Sequence, residues 1–492
     1  MPGWIRLFLI VFSATLLSAC KVGPNYIPPI VNVPPNYKEA ALPKGWKMAN
    51  PQDEIDRGAW WEIFNCPELN ALEADLNIGN QNIAAAQSQY LQSLAMIDET
   101  RAALFPVISG FFSVERQKPP SAAFNTASGT GTGTTSSAIS AKPYTTYIAS
   151  LNASWIPDLW GQVRRELEAG LDTAQASAAN VAAVRLSAQA LLAEDYFALR
   201  TLDALQKVLD DTVLADRKLL KLVRNRFQAG TASLADITTA QATLEAAEAA
   251  AINNGVTRAE TEHAIAVLTG KPPAEFCLIP TVMRLRPPLI PAQLPSELLE
   301  RRPDVAKAER TVAAANAQIG VAVAAFFPTL TLTGSMGFQT NDFPKWFTNP
   351  SFFWTEMADL MGTIFDAGLR AAEVGAAQYA YNQTVDNYRQ TLLTAFQNVE
   401  DNLSAQRILS NVAVVQKQAV ATAKLALQLT LDDYQAGTVD LTTVLAAQTT
   451  LYTAEQNDVT VVGERLTAAV NLIAALGGGW CVTDALSLPP TP

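Results

Sequence analysis

One histidine, His263, and four cysteines are all that 492 residues supply of these types. No CxxC or HxxxH spacing exists, so a metal site is not expected, and a single histidine leaves little from which to build an acid–base centre. With no nucleophile elbow or paired-acid motif either, the chain is not expected to be an enzyme. Charge is also scarce: 16% of residues carry it, and 35 basic against 46 acidic residues give a formal net charge of −11. An acidic chain without Lys/Arg clusters has no footprint for a nucleic-acid backbone, which excludes nucleic acid as a partner. After residue 20 no run of about 18 apolar residues occurs, so a membrane-spanning helix is not expected. Proline is absent between Pro67 and Pro106, between Pro157 and Pro272, and between Pro350 and Pro489. Because proline breaks helix interiors, those gaps permit very long helices, and Ala, Leu, Gln, Glu, Lys and Arg fill them.

The first residues, MPGWIRLFLIVFSATLLSAC, hold one Arg6, an apolar run from Leu7 to Leu17 and small residues before Cys20. That is an export signal, to be set aside before the fold is read. LSAC at residues 17–20 resembles a bacterial lipobox, which implies covalent lipid such as palmitate on Cys20, with an ordinary cleaved signal as the alternative. Lys21 follows, which resembles an outer-membrane sorting address. Cys66, Cys277 and Cys481 remain, an odd number, so at least one stays unpaired, and a bridge from Cys66 to either of the others is open.

Residues 226–248, RFQAGTASLADITTAQATLEAAE, return as 433–455, DYQAGTVDLTTVLAAQTTLYTAE, with 11 of 23 positions identical. Gly161 and Gly368, and Gly270 and Gly477, match at the same offset. Each copy reads as a helix of about 68 residues, Gln162–Ala229 and Leu369–Ala436, roughly 100 Å long, then a returning helix of about 37. The QAGT run, with Gly230 or Gly437 in the left-handed backbone that ends helices, is the far tip of a helical hairpin. One segment argues otherwise: LALQLTLDDY, 425–434, alternates as a strand does, but its position within the proline-free span favours helix. The lone His263 reads as a helix-surface residue.

Upstream of each long helix the period changes from 3.6 to 2. In TLTLTGSMGF, Leu330, Leu332, Met336 and Phe338 face one way while Thr329, Thr331, Thr333 and Ser335 face the other. LNASW alternates likewise, so each copy supplies two strands of about ten residues, the length that crosses a bilayer as tilted β-structure. Four strands cannot close a barrel, and unpaired edges are forbidden in lipid, so the chain assembles with copies of itself or the strands do not enter a membrane. The tract QKPPSAAFNTASGTGTGTTSSAISAKP between the first two strands reads as a surface loop.

Three further stretches complete a specific pattern: WWEIFNCPELNALEADLNIGNQNI, ELLERRPDVAKAERTVAAANAQIGVAVAAFFPTLTLTG and YQAGTVDLTTVLAAQTTLYTAEQ. With LSAC, they resemble the outer membrane efflux protein family of TolC-like exit ducts, in its lipoprotein branch serving tripartite drug pumps. The resemblance implies a mainly α fold with membrane β: a homotrimer whose chains, with two structural repeats each, build a 12-stranded outer-membrane β-barrel continued by a 12-helix periplasmic α-barrel. It implies as partners a periplasmic adaptor, an inner-membrane transporter and outer-membrane lipid, with no cofactor beyond the lipid on Cys20. The duct is passive and gated, and drug efflux with its antibiotic resistance, metal efflux and type I protein secretion share its architecture. A lipoprotein coiled-coil spacer is the reading of another class.

On that frame residues 1–19 are the signal peptide, 20–66 an equatorial segment, 67–270 the first repeat with a β-hairpin at 107–155, and 271–296 an equatorial linker. Residues 297–477 form the second repeat with a hairpin at 329–365, and 478–492 a tail. By position Tyr434 matches the family's gate-linking tyrosine and Asp236 the acidic residue such a tyrosine contacts. Ala446 stands where members often place an aspartate, Thr443 where some are acidic, and Val439 where some have arginine, so the sequence departs from a charged constriction there. Asp432, Asp433 and Asp440 are the remaining acidic gate candidates.

Overall fold

The computed structural model describes residues 21–30, 37–39, 58–118, 143–282, 287–288 and 302–478. The signal segment, Cys20, Cys481 and most of the Gly/Ser/Thr/Pro tract lie outside them. Seven α-helices are found among the described residues: α1 Pro67–Gly79, α2 Gln81–Ala102, α3 Gln162–Gln228, α4 Leu234–Leu268, α5 Pro303–Ala324, α6 Leu369–Ala436 and α7 Leu441–Ala475. Four strands accompany them: β1 Val107–Gln117, β2 Tyr144–Trp155, β3 Thr329–Thr340 and β4 Phe352–Met361. No helix among the described residues is long and apolar enough to cross a membrane. The chain divides into two compact units, one of residues 1–27, 94–172 and 313–382, the other of 28–93, 173–312 and 383–492.

The first unit is built on one antiparallel sheet of order β1-β2-β3-β4, leaving β1 and β4 as bare edges. Its register, with Phe112 opposite Ala149, Ala149 opposite Phe338 and Phe338 opposite Phe352, puts these four in one row on one face. Leu151, Met336 and Trp354 form a second row, and Leu330 lies opposite Leu360. On the other face Asn152 meets Ser335 and Thr331 meets Asp359. The apolar face is bare: Phe112 is 75% exposed and Trp354 67%. Two charged residues share this face, Glu356 opposite Gly334 and Arg116 at the strand end opposite Thr145. Aromatic rings gather at both strand ends. Tyr147, Phe343, Trp346 and Phe347 cluster near the β3–β4 connection, with Trp346 stacked on Phe347 at 5.1 Å. At the opposite end Trp160 stacks on Phe327 at 4.8 Å. The second hairpin stops at Met361, four residues short of the expected 365.

Residues 21–25 are fastened in the same unit. The fully buried Arg165 donates through Nε to the Val22 carbonyl at 2.9 Å and through Nη2 to the Gly23 carbonyl at 3.0 Å. Its Nη1 pairs with Glu168, which also takes Lys21 at 2.5 Å.

The second unit is helical. Its largest apolar cluster joins Trp60, Trp61 and the α1 residues Leu69, Leu72 and Leu76 to Leu192, Tyr196, Phe197 and Leu199 of α3. Beside it the fully buried Arg200 donates through Nη1 to Asp203 at 2.7 Å and to the Ile279 carbonyl at 2.9 Å, and through Nη2 to Glu68. Arg258 of α4 donates to the other Asp203 oxygen at 2.8 Å and to the Leu278 carbonyl at 2.7 Å, so two arginines and one aspartate clamp residues 278–281. Cys66 is buried and Cys277 exposed, and both are free thiols, which removes the Cys66–Cys277 bridge left open by the sequence. Burial pushes the Cys66 thiol up. Glu73 is fully buried with neither carboxyl oxygen bonded, and burial pushes it up to about 9, so it carries its proton at neutral pH.

At the C-terminal ends of α1 and α4 two backbones touch. Gly270 has φ 74°, and a Cβ there would lie 2.1 Å from the Gly79 carbonyl oxygen. Gly270→Ala is expected to combine left-handed strain with overpacking and to cost about 2–4 kcal/mol. Chemical denaturation of the purified protein checks this, and a cost below about 1 kcal/mol would contradict the contact.

Candidate functional site: the hairpin tips

Both helical hairpins turn in the same way. The Gly230 N–H donates to the Phe227 carbonyl at 2.9 Å and the Thr231 N–H to the Arg226 carbonyl at 2.9 Å. Gly437 and Thr438 repeat this on Tyr434 and Asp433 at 3.1 and 3.0 Å. This paired pattern closes a helix with a left-handed residue, and φ is 76° at Gly230 and 81° at Gly437. The next helices start with caps built from the gate candidates. Ser233 and Asp236 form a reciprocal capping box at the start of α4, with Ser233 N donating to Asp236 Oδ2 at 2.8 Å. Asp440 caps α7, accepting from the Thr443 N–H at 3.0 Å and the Thr443 hydroxyl at 2.6 Å. Those hydrogen bonds, the Thr443 hydroxyl's first, hold the Asp440 carboxyl below its usual range. Asp236, Asp440 and Thr443 thus all serve helix starts.

An apolar cluster lies under the turns. Val213, Leu219, Leu220 and Val223 of α3, Ala240 and Leu244 of α4, Tyr434 of α6, and Leu441 and Val444 of α7 make it up. In α6 the helix turns Leu427, Leu431 and Tyr434 toward it while Leu425 and Leu429 stay exposed. The strand-like alternation of 425–434 is therefore carried by a helix with apolar residues on two faces. Asp432, Asp433, Thr443 and Ala446 are exposed around this core.

Tyr434 is 4% exposed and does not hydrogen-bond Asp236, contrary to the contact implied by resemblance. Its partner is Arg226, in the last turn of α3. The guanidinium lies 4.3 Å from the ring centroid, and Nη1 donates to the Tyr434 carbonyl at 2.6 Å. Burial pushes the Tyr434 phenol up, Arg226 draws it back, and Asp236 acts on it only through its charge. Asp236 spends its carboxylate on the capping box, which is why the expected contact is not made. Arg226 was not singled out by the sequence. The one signal is that it aligns with Asp433 at the repeat offset, a charge reversal next to an otherwise shared QAGT.

The family model for outer membrane efflux proteins matches residues 74–271 and again 294–478, well over half of the chain. The chain belongs to the outer membrane efflux protein family. Among family relatives, a pyoverdine export outer membrane protein, OpmQ of Pseudomonas aeruginosa, is 31% identical over 475 residues, covering 96% of both chains. The probable efflux pump outer membrane protein TtgC of Pseudomonas putida is 29% identical over 486 residues, again with 96% of each covered. The solved outer-membrane channel OprN superposes with a TM-score of 0.82 at 25% identity, over 94% of this chain and 100% of that one. This member of the outer membrane efflux protein family shares their fold, mostly helical with a small sheet.

Proposed function

We propose that the chain is the outer-membrane exit duct of a tripartite efflux pump, passing drugs or other small molecules and driven by an inner-membrane transporter through a periplasmic adaptor. The observation that carries this is the four-stranded sheet with one bare apolar face, one mainly polar face, aromatics at both ends and two unpaired edges. Strands of 10–12 residues with that division of faces suit a bilayer, and the edges are satisfied when three chains close a 12-stranded barrel. The α3–α4 and α6–α7 hairpins of the three chains then make a 12-helix tunnel whose tips form the gate. The energy comes from partners, because a duct only lowers a barrier; the tip contacts bias it toward the closed state.

A lipid on Cys20 completes the reading. Arg165 and Glu168, in the first turns of α3 just after β2, hold Lys21 to Gly23, the residues that follow it. The name of OpmQ records pyoverdine export, while the cargo of this chain is expected to be set by its transporter. Native mass spectrometry and planar-bilayer recording of the purified protein test the proposal. A trimer that inserts and conducts is the expected result. A folded monomer without conductance would return the chain to a coiled-coil spacer.

A further inference from the structure

Below the tip cluster, a carboxyl and an amide face each other across the seam between the first and second hairpins. Asp216 of α3 is 2% exposed and Gln448 of α7 5%. Gln448 Nε2 donates to Asp216 Oδ1 at 2.7 Å and also reaches the Tyr452 hydroxyl. Each group has one oxygen left over: Asp216 Oδ2 and Gln448 Oε1 are both buried and have no partner. Two stranded acceptors in an apolar seam lined by Val213, Leu220 and Val444 cost free energy, and neither can donate to the other while Asp216 is ionised. One proton on Oδ2 supplies the missing donor and closes the reciprocal acid–amide pair.

Resting on the gated-duct reading, we propose that Asp216 and Gln448 are a proton-operated latch between the two hairpins: neutral, the pair holds the seam shut; ionised, it loosens it. Among the described residues no cation neutralises the carboxylate. On α3, Lys207 pairs with Asp211, and Arg217 turns to Glu248 of α4. From α7 come Tyr452 and Glu455, and from α6 Lys424, which acts on Glu455. Burial pushes the Tyr452 phenol up, so it stays neutral. Burial alone pushes Asp216 up to about 6 from 3.8. A group raised in the closed seam and ordinary in an open, hydrated one favours closure below pH 3.8, and that advantage is lost as pH rises through about 6. Between pH 5 and pH 8 the closed-to-open ratio should fall on the order of tenfold per chain.

Asp216→Asn carries both donor and acceptor without a proton, so its open probability in bilayers should stay at the wild-type pH 5 level up to pH 8. The second readout is an infrared pH titration of protein carrying carbon-13-labelled aspartate. A protonated-carboxyl band should vanish with a midpoint near 6 in wild type. Asp195, the other aspartate that burial pushes up to about 6, contributes to the same band, so the band should weaken in Asp216→Asn, persist in Asp195→Asn and vanish in the double variant. If Asp216→Asn does not fold, the band remaining in Asp195→Asn still reports Asp216 alone. A wild-type pH response unchanged by Asp216→Asn, or no band near 6 in Asp195→Asn, overturns the latch. If the Asp216 band is present but neither pH nor any tip substitution alters conductance, the protonated pair stands and the gate reading fails.

Discussion

Arg226→Ala is expected to open the duct. The substitution removes a charge-assisted hydrogen bond to the Tyr434 carbonyl, worth about 1.5–3 kcal/mol, and a cation–π contact worth about 0.5–2 kcal/mol. Losing about 2–5 kcal/mol of closed-state bias in each chain raises the open population by roughly 30- to 5,000-fold, until opening saturates. Tyr434→Phe keeps both the ring face and the carbonyl, so its effect should be much smaller. Asp236→Asn weakens a cap and leaves Arg226 in place. Bilayer recordings of the three variants at one salt concentration decide among them. If Asp236→Asn opens the channel as fully as Arg226→Ala, the link implied by resemblance governs the gate and the Arg226 contact does not.

Arg200→Met is expected to be the most destabilising single change in the helical unit. It leaves Glu68 and half of the Asp203 charge without their buried partner and frees the Ile279 carbonyl. Breaking a buried ion pair from one side costs about 3–5 kcal/mol. Arg200→Lys should recover little, because one ammonium cannot span Glu68, Asp203 and the Ile279 carbonyl as a planar fork does. Urea unfolding followed by the fluorescence of Trp60 and Trp61, which share the adjoining cluster, measures this. A loss within about 1 kcal/mol of wild type would show that the clamp contributes little net stability.

How much of this was legible in the sequence depends on how local the cause is. The long helices follow from proline-free spans, and the tip turns from Gly230 and Gly437, where a left-handed backbone admits little else. The strands follow from alternation, as in Leu330, Leu332, Met336 and Phe338, because a period of two allows one assignment of faces. Alternation also misleads, since Leu425 to Leu431 belong to a helix with two apolar faces. Long-range partners were not legible. Arg226 meets Tyr434 across 208 positions and Gln448 meets Asp216 across 232, and no local pattern marks which polar residue on a long helix turns inward. Glu73 has the same history: within PELNALEADL it looks like a solvated acid, and only packing makes it neutral.

The bare edges of β1 and β4 have a consequence for the cell's supply of this chain. In the proposed barrel a sheet that cannot enter lipid alone would make insertion depend on chains meeting in solution, so its rate would rise more steeply than in proportion to their abundance. At low synthesis such encounters would fail, leaving the apolar faces of the sheet uncovered. Gene dosage then decides whether any duct forms, before it decides how much.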